Sequence, residues 1–243
     1  MLSAEFVKYT TKLSLIAQVL TGLLGFAGIF LSLPTPHAIL GGVLKLEMIV
    51  QLIEFAFYIW LYTFFNLPTM APIRYIDWFI TTPMMLLSMA VYFTYVRLRK
   101  EERVTTLSEF FNTYRPVLIQ IFSANFLMLL FGLLGELAIL PFLFAFILGS
   151  LAFVGSFTII YRHFYSKESK VLFTLLTVVW ALYGVSYLFP IAAKNIGFNL
   201  LDVIAKNFFG VFLFYMIYKN RTPDVYQIPF TLPKPSSSDT ASS

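Results

Sequence analysis

LDVIAKNFFGVFLFY, residues 201–215, is apolar enough to belong to a membrane span, yet it carries Asp202 and Lys206 one helical turn apart. A charged group near the middle of a membrane helix costs roughly 2.5 to 3.5 kcal/mol on insertion scales, so such a pair needs partners elsewhere in the chain. A second stretch, RYIDWFITTPMM at 74–85, offers them in Arg74 and Asp77.

The surrounding sequence is as oily as these two stretches. Of 243 residues 59% are hydrophobic, 19% aromatic and only 12% charged, which is more apolar than a soluble domain requires. A run of roughly 20 apolar residues spans the ~30 Å hydrocarbon layer as a helix. Seven such runs are expected at about 13–33, 43–65, 71–96, 116–136, 139–161, 170–189 and 198–218, spans A to G. The fold class is therefore an all-α membrane protein, a seven-transmembrane-helix bundle. Breakers separate the spans: Pro34, Pro36 and Gly41-Gly42 after A, Pro68 and Pro72 between B and C, and Pro190 after F. Pro141 is expected in the first turn of E. The short connection between D and E makes them antiparallel neighbours. Residues 1–220 read as one domain, and residues 221–243, ending PKPSSSDTASS, as a disordered polar tail.

Basic residues set the expected orientation. Arg97, Arg99, Lys100, Arg103 and Arg115 lie between C and D, Arg162, Lys167 and Lys170 between E and F, and Lys219 and Arg221 open the tail, against Lys8, Lys12 and Lys194 on the other side. The N-terminus is expected outside and the C-terminus cytoplasmic, with span A as an uncleaved anchor. The net charge of +5 then belongs to cytoplasmic loops and implies no nucleic-acid partner. With no cysteine there is no disulfide, thiolate metal site or cysteine nucleophile, and the two histidines, His37 and His163, make no metal constellation. The chain is read as non-enzymatic, multi-pass, in the plasma membrane or another host-cell membrane, with the bilayer as partner and a homo-oligomer allowed.

The charged residues on C and G share a depth. Asp77 and Asp202 are expected four to six residues, roughly 6 to 9 Å, into their spans, where Arg74 neutralises part of both carboxylates and Lys206 the rest. An inert ion-pair network is one reading, but buried ion pairs stabilise less well than apolar packing. A lysine in an apolar pocket is also a reactive amine, able to form a Schiff base with a carbonyl compound, and the carboxylates beside it would hold the imine protonated.

RYIDWFITTP and LDVIAK resemble the retinal-binding signatures of microbial (type 1) rhodopsins, and the seven-span layout resembles theirs over nearly the whole chain. The resemblance implies all-trans retinal bound covalently to Lys206 as a protonated Schiff base, with Asp77 and Asp202 as counterions and Arg74 on the extracellular side. The family's functional signature along the third span falls on Asp77, Thr81 and Ser88. It further implies chromophore contacts from Trp78, Thr82, Asn125, Met128, Gly132, Phe146, Gly149, Ser150, Phe153, Trp180, Tyr183 and Tyr187, with Gly184 standing where most relatives have proline.

Three activities remain open on this reading. An outward proton pump would use Asp77 as acceptor, but the donor position is Ser88, about 16 Å further along the helix, and a hydroxyl does not donate a proton at neutral pH, so reprotonation should be slow. Span B argues for a channel. Glu47, Gln51, Glu54 and Tyr58 fall at i, i+4, i+7 and i+11, one polar stripe, with the two glutamates about 10 Å apart. Ser14, Gln18 and Thr21 on A and Asn199 on G could face the same hydrated seam, whose carboxylates would admit monovalent cations or protons and exclude anions. The stripe resembles the second helix of channelrhodopsins, and the whole most resembles the group 1 viral rhodopsins of large algal viruses, which conduct cations when illuminated. The leading expectation is a light-gated cation channel, followed by a slow outward proton pump and a photosensory rhodopsin.

Overall fold

The computed structural model describes residues 3–222, so the expected disordered tail lies outside the described residues apart from its first two positions. Six helices come first: α1 (Ala4–Ile29), α2 (Ala38–Thr63), α3 (Leu67–Lys100), α4 (Leu107–Glu136), α5 (Phe142–Phe164) and α6 (Lys170–Tyr187). The seventh span changes its winding midway, from α7 (Ile191–Asp202) through a six-residue π-helical segment (Val203–Phe208) to α8 (Phe209–Asn220). Six spans are long and apolar enough to cross a membrane. The other, α2, matches α1 in length at 26 residues and carries Lys45, Glu47 and Glu54.

The bundle is packed with its polar groups inward. On α1 the buried positions include Thr10, Thr11, Ser14, Gln18 and Thr21, while Leu20, Leu23 and Phe26 are more than half exposed. That pattern suits lipid, where apolar side chains gain nothing by burial and helices associate through close packing and hydrogen bonds. Gly25 permits the close approach of α1 and α2, since a Cβ there would lie 2.2 Å from the Met48 sulfur. The central helix is α3, buried without a break from Met85 to Tyr95. Seven antiparallel passes give the bundle two ends: an N-terminal face, where α1 begins, and a C-terminal face opposite.

Several boundaries differ from those expected from the sequence. Span A begins at Ala4, because Ser3 caps the helix and the hydroxyls of Thr10 and Thr11 bond the Val7 carbonyl, so this polar stretch is helical. Gly41 and Gly42 lie inside α2 and Pro72 inside α3, where neighbouring turns absorb the missing hydrogen bond. Span D begins at Leu107, held by a capping box between Thr106 and Glu109, and Pro116 is internal to it. Pro141 caps α5 rather than entering its first turn. The seventh span begins at Ile191, which puts Lys194 and Asn195 inside the helix instead of in a connection.

These longer helices deepen the charged layer. Asp77 lies ten residues beyond Leu67, Asp202 eleven beyond Ile191, and Glu54 nine before Thr63. At 1.5 Å per residue all three carboxylates sit about 15 Å from the N-terminal face, near mid-membrane rather than the 6 to 9 Å expected.

Candidate functional site

Lys206, carried by the π-helical segment, faces three carboxylates. Its Nζ donates to Asp77 Oδ2 at 2.7 Å and lies 3.4 Å from Glu54 Oε1 and 3.8 Å from Asp202 Oδ1. None of the four residues is more than 2% exposed. Glu54, read from the sequence as part of an ion path, thus belongs equally to the group around the amine, because α2 packs directly against the π-helical segment. The expected division of Arg74 between Asp77 and Asp202 is also corrected. Arg74 forms its ion pair with Asp202, at 3.2 Å, while Asp77 pairs with Lys206.

On the N-terminal side of the amine, hydrogen bonds close the bundle. Asp202 accepts from Tyr58 at 2.5 Å and from Tyr183 at 2.6 Å. Arg74 donates to Tyr58 at 3.1 Å, to Asn195 at 3.3 Å and to the Asn199 side-chain oxygen. The Asn199 amide nitrogen donates in turn to Thr10, at 2.8 Å, and Thr11, at 3.0 Å, and its backbone carbonyl accepts from Ser14 at 2.8 Å. Asn199 thereby joins α1, α3 and α7 at one point.

The other side is built differently. Gln51 donates to Asn207 at 3.0 Å and to the Gln18 carbonyl at 3.3 Å. Among the described residues, however, the Gln18 side chain, both Glu54 oxygens, Glu47 Oε1, Ser88 Oγ and Asn207 Nδ2 are buried without a hydrogen-bond partner. Buried polar atoms of this kind are normally satisfied by ordered water. The Glu47 carboxyl of α2 faces the Ser88 hydroxyl of α3, so the expected donor position on span C has a carboxyl group beside it. Thr81 is fully buried between Asp77 and this region, its hydroxyl bonded to the Asp77 carbonyl at 3.0 Å.

At the C-terminal face, His37 in the α1–α2 connection is buried against α3, with Nδ1 2.6 Å from the Tyr95 hydroxyl and 2.8 Å from Arg99 Nη1. Burial and, second, the Arg99 charge hold its imidazole below the usual histidine range.

Beside Lys206 a cavity of about 350 Å³ extends between α3, α4, α5 and α6. Its walls include Trp78 and Thr82, Met128 and Gly132, Phe146, Gly149, Ser150 and Phe153, and Trp180, Tyr183, Gly184 and Tyr187. Asn125 does not border it. Its amide donates to Thr82 Oγ1 at 2.8 Å from behind, on the side of a lipid-facing groove between α3 and α4. Gly132 allows Tyr75 to pack flush with α4, since a Cβ there would sit 2.5 Å from the Tyr75 oxygen. Trp78 packs edge-on to Phe198 and Tyr183 at 5.0 and 5.6 Å. The volume falls in the range of roughly 300 to 1,000 Å³ typical of small-molecule sites, and the aromatic walls with one amine at the end fit a long apolar molecule carrying an aldehyde.

Sequence reasoning missed several of these residues. Tyr75 and Phe198 carry no polar or spacing signal that sets them apart from the other aromatic residues of their spans. Asn207 adjoins Lys206 in sequence and was a readable polar signal. Glu136 pairs with Lys194 at 2.6 Å across α4 and α7, which required knowing that both ends meet on the N-terminal face.

Comparison with known proteins agrees with this architecture. Viral rhodopsin OLPVRII superposes with a TM-score of 0.77 at 27% identity, over 89% of this chain and 99% of its own. The blue light-absorbing proteorhodopsin from Med12 gives 0.67 at 21% identity, over 88% and 97%, and the rhodopsin of Exiguobacterium sibiricum 0.69 at 15%, over 90% and 98%; these two share the fold. No curated protein matches the sequence. The family profile described as bacteriorhodopsin-like protein matches residues 10–220, so that the chain, with its buried lysine facing carboxylates from two other spans, belongs to the bacteriorhodopsin-like family.

Proposed function

We propose that this membrane protein is a retinal photoreceptor acting as a light-gated cation channel, with all-trans retinal held covalently at Lys206 Nζ. One observation carries the channel reading: Ser14, Gln18, Glu47, Gln51, Glu54, Tyr58 and Asn199 are all buried, on the facing sides of α1, α2 and the seventh span. Polar groups inside a membrane bundle face one another or a water-filled cavity, and a seam of carboxylates and amides suits cations.

Charge balance assigns the resting protons. Arg74 and Lys206 bring two positive charges, and Glu54, Asp77 and Asp202 would bring three negative ones. An unpaired buried charge costs several kcal/mol, so one carboxyl keeps a proton. Glu54 holds it, because Asp77 accepts directly from Nζ and Asp202 is bonded by Arg74 and two tyrosines, whereas Glu54 accepts no hydrogen bond. When bound, retinal supplies the light absorption and the isomerisation that disturbs this balance at Nζ. Asp77 is placed to take the proton from Nζ. With that charge moved, Asp202 and Arg74 rebalance, and the hydrogen bonds around Asn199 loosen. Water and cations then enter a seam whose other half already contains polar atoms with no protein partner. The basic loops favour an orientation with the N-terminal face outside, which makes the Asn199 knot the outer gate.

An outward proton pump is the second reading, favoured by Glu47 beside Ser88. A carboxyl group on α2 would supply the donor that α3 lacks, which fits pumping better than conduction alone. Voltage clamp of illuminated cells separates the two. A channel current reverses at a potential set by the cation gradients; a current that stays outward at every potential and gradient overturns the channel reading.

A further inference from the structure

We propose that retinal reaches Lys206 sideways from the lipid, through a portal between α5 and α6. The inference rests on the retinal reading above and adds the route.

Packed side chains lie between the cavity beside Lys206 and each face of the bundle. Toward the N-terminal face, Tyr187 stacks on Phe142 at 4.7 Å, its hydroxyl reaches the Gly132 carbonyl at 3.5 Å, and the Lys194–Glu136 pair ties α7 to α4 beyond it. Toward the C-terminal face, Phe157 packs against both Trp180 and Phe153, at 5.9 and 4.8 Å. A rigid polyene entering from either face would have to part these contacts.

The lateral wall is different. α5 packs along α4 but touches α6 over only a short length. Between them the cavity is bounded by small side chains, Gly149, Ser150 and Val154 on one helix and Ala181, Gly184 and Val185 on the other. Val154 and Val185 are 56% and 45% exposed, so the same residues border the cavity and face the acyl chains. A Cβ placed on Gly184 would meet only the ring of Phe146, at 3.8 Å. Retinal partitions into lipid, so an opening at this depth presents it directly to the cavity that ends at Nζ. Condensation of the aldehyde with the amine then releases one water.

The test uses retinal-free full-length protein in lipid nanodiscs, with all-trans retinal added and growth of the visible band followed. Val154→Trp/Val185→Trp should slow the growth tenfold or more while still reaching a coloured end state. Leu151→Trp/Leu182→Trp, on lipid-facing positions of the same helices that do not border the cavity, should load at the wild-type rate. Val154→Ala/Val185→Ala should load faster, and decides the matter if the tryptophan variant does not fold. Retinol, which cannot condense with an amine, should enter in the same order of rates, read by quenching of tryptophan fluorescence. Portal variants that load at the wild-type rate, or control variants slowed as much, overturn this proposal alone. Wild-type protein that never colours overturns the retinal assignment and the portal with it.

Discussion

Glu54 of α2 and Lys206 of the seventh span lie 3.4 Å apart, both buried, although 152 positions separate them in the chain. Their contact turns a two-carboxylate arrangement into a three-carboxylate one around a single amine.

If Glu54 is the neutral member, Glu54→Gln replaces one uncharged group with another of the same shape. The absorption maximum should move little, while an infrared difference band from a carboxylic acid disappears and the photocurrent changes in size or ion preference. A large colour shift would show that Glu54 is ionised at rest.

Asp77→Asn removes the anion bonded to Nζ. The band should shift strongly and deprotonation at Nζ should be impaired, as read by flash absorption spectroscopy. Lys206→Ala should abolish the visible band altogether; persistence of colour would remove the retinal assignment.

The Asn199 knot should matter in the dark. Asn199→Val removes one acceptor from the Arg74 guanidinium and the donor shared by the Thr10 and Thr11 hydroxyls, costing about 1 to 3 kcal/mol for the buried hydrogen bonds lost. The expected outcomes are faster thermal bleaching and a larger dark leak current. Arg74→Met, which leaves Asp202 only the more distant Lys206 amine, should cost more, about 3 to 5 kcal/mol.

Glu47→Gln tests the carboxyl beside Ser88. If Glu47 returns the proton to Nζ, recovery of the dark spectrum should slow by about 10²-fold or more, and a small weak acid added to the buffer should restore it. Ser88→Ala should have a much smaller effect. Equal recovery in wild type and Glu47→Gln would leave that carboxyl to the conduction path alone.

His37 predicts a pH dependence of stability. Its imidazole, facing Tyr95 and the cationic Arg99, is held below the ordinary value of 6.5. Below that pH the unfolded chain binds the proton more readily, so stability falls on acidification from about 6.5 down to the folded-state value, and is unaffected above it. Thermal melting from pH 7.5 to 5.5 should show a steeper loss in wild type than in His37→Gln. Parallel curves would show that His37 does not titrate there.

The charged layer was legible because charges in an apolar run stand out, and because Asp202 and Lys206, four residues apart, declare a shared helix face. The polar stripe on α2 was legible for the same reason. What Glu54 and Glu47 touch was not, since helical spacing gives the direction a side chain takes around its own axis but not which helix stands opposite. The beginning of α1 failed for another reason. Thr10 and Thr11 look like a surface stretch, and only the bonds they make with Val7 and Asn199 show them pointing into the bundle. Asn125 was placed one layer too near the cavity because the intervening Thr82 already lines it.

The six-residue π-helical segment that carries Lys206 has a mechanical corollary. A turn wound more loosely than its neighbours holds its backbone bonds less firmly and marks where a helix can change pitch at small cost. Any push delivered at the lysine therefore falls on the segment where the seventh span changes its winding. Tightening that link to ordinary pitch would turn α8 about its axis like a crank and swing Asn207 away from Gln51.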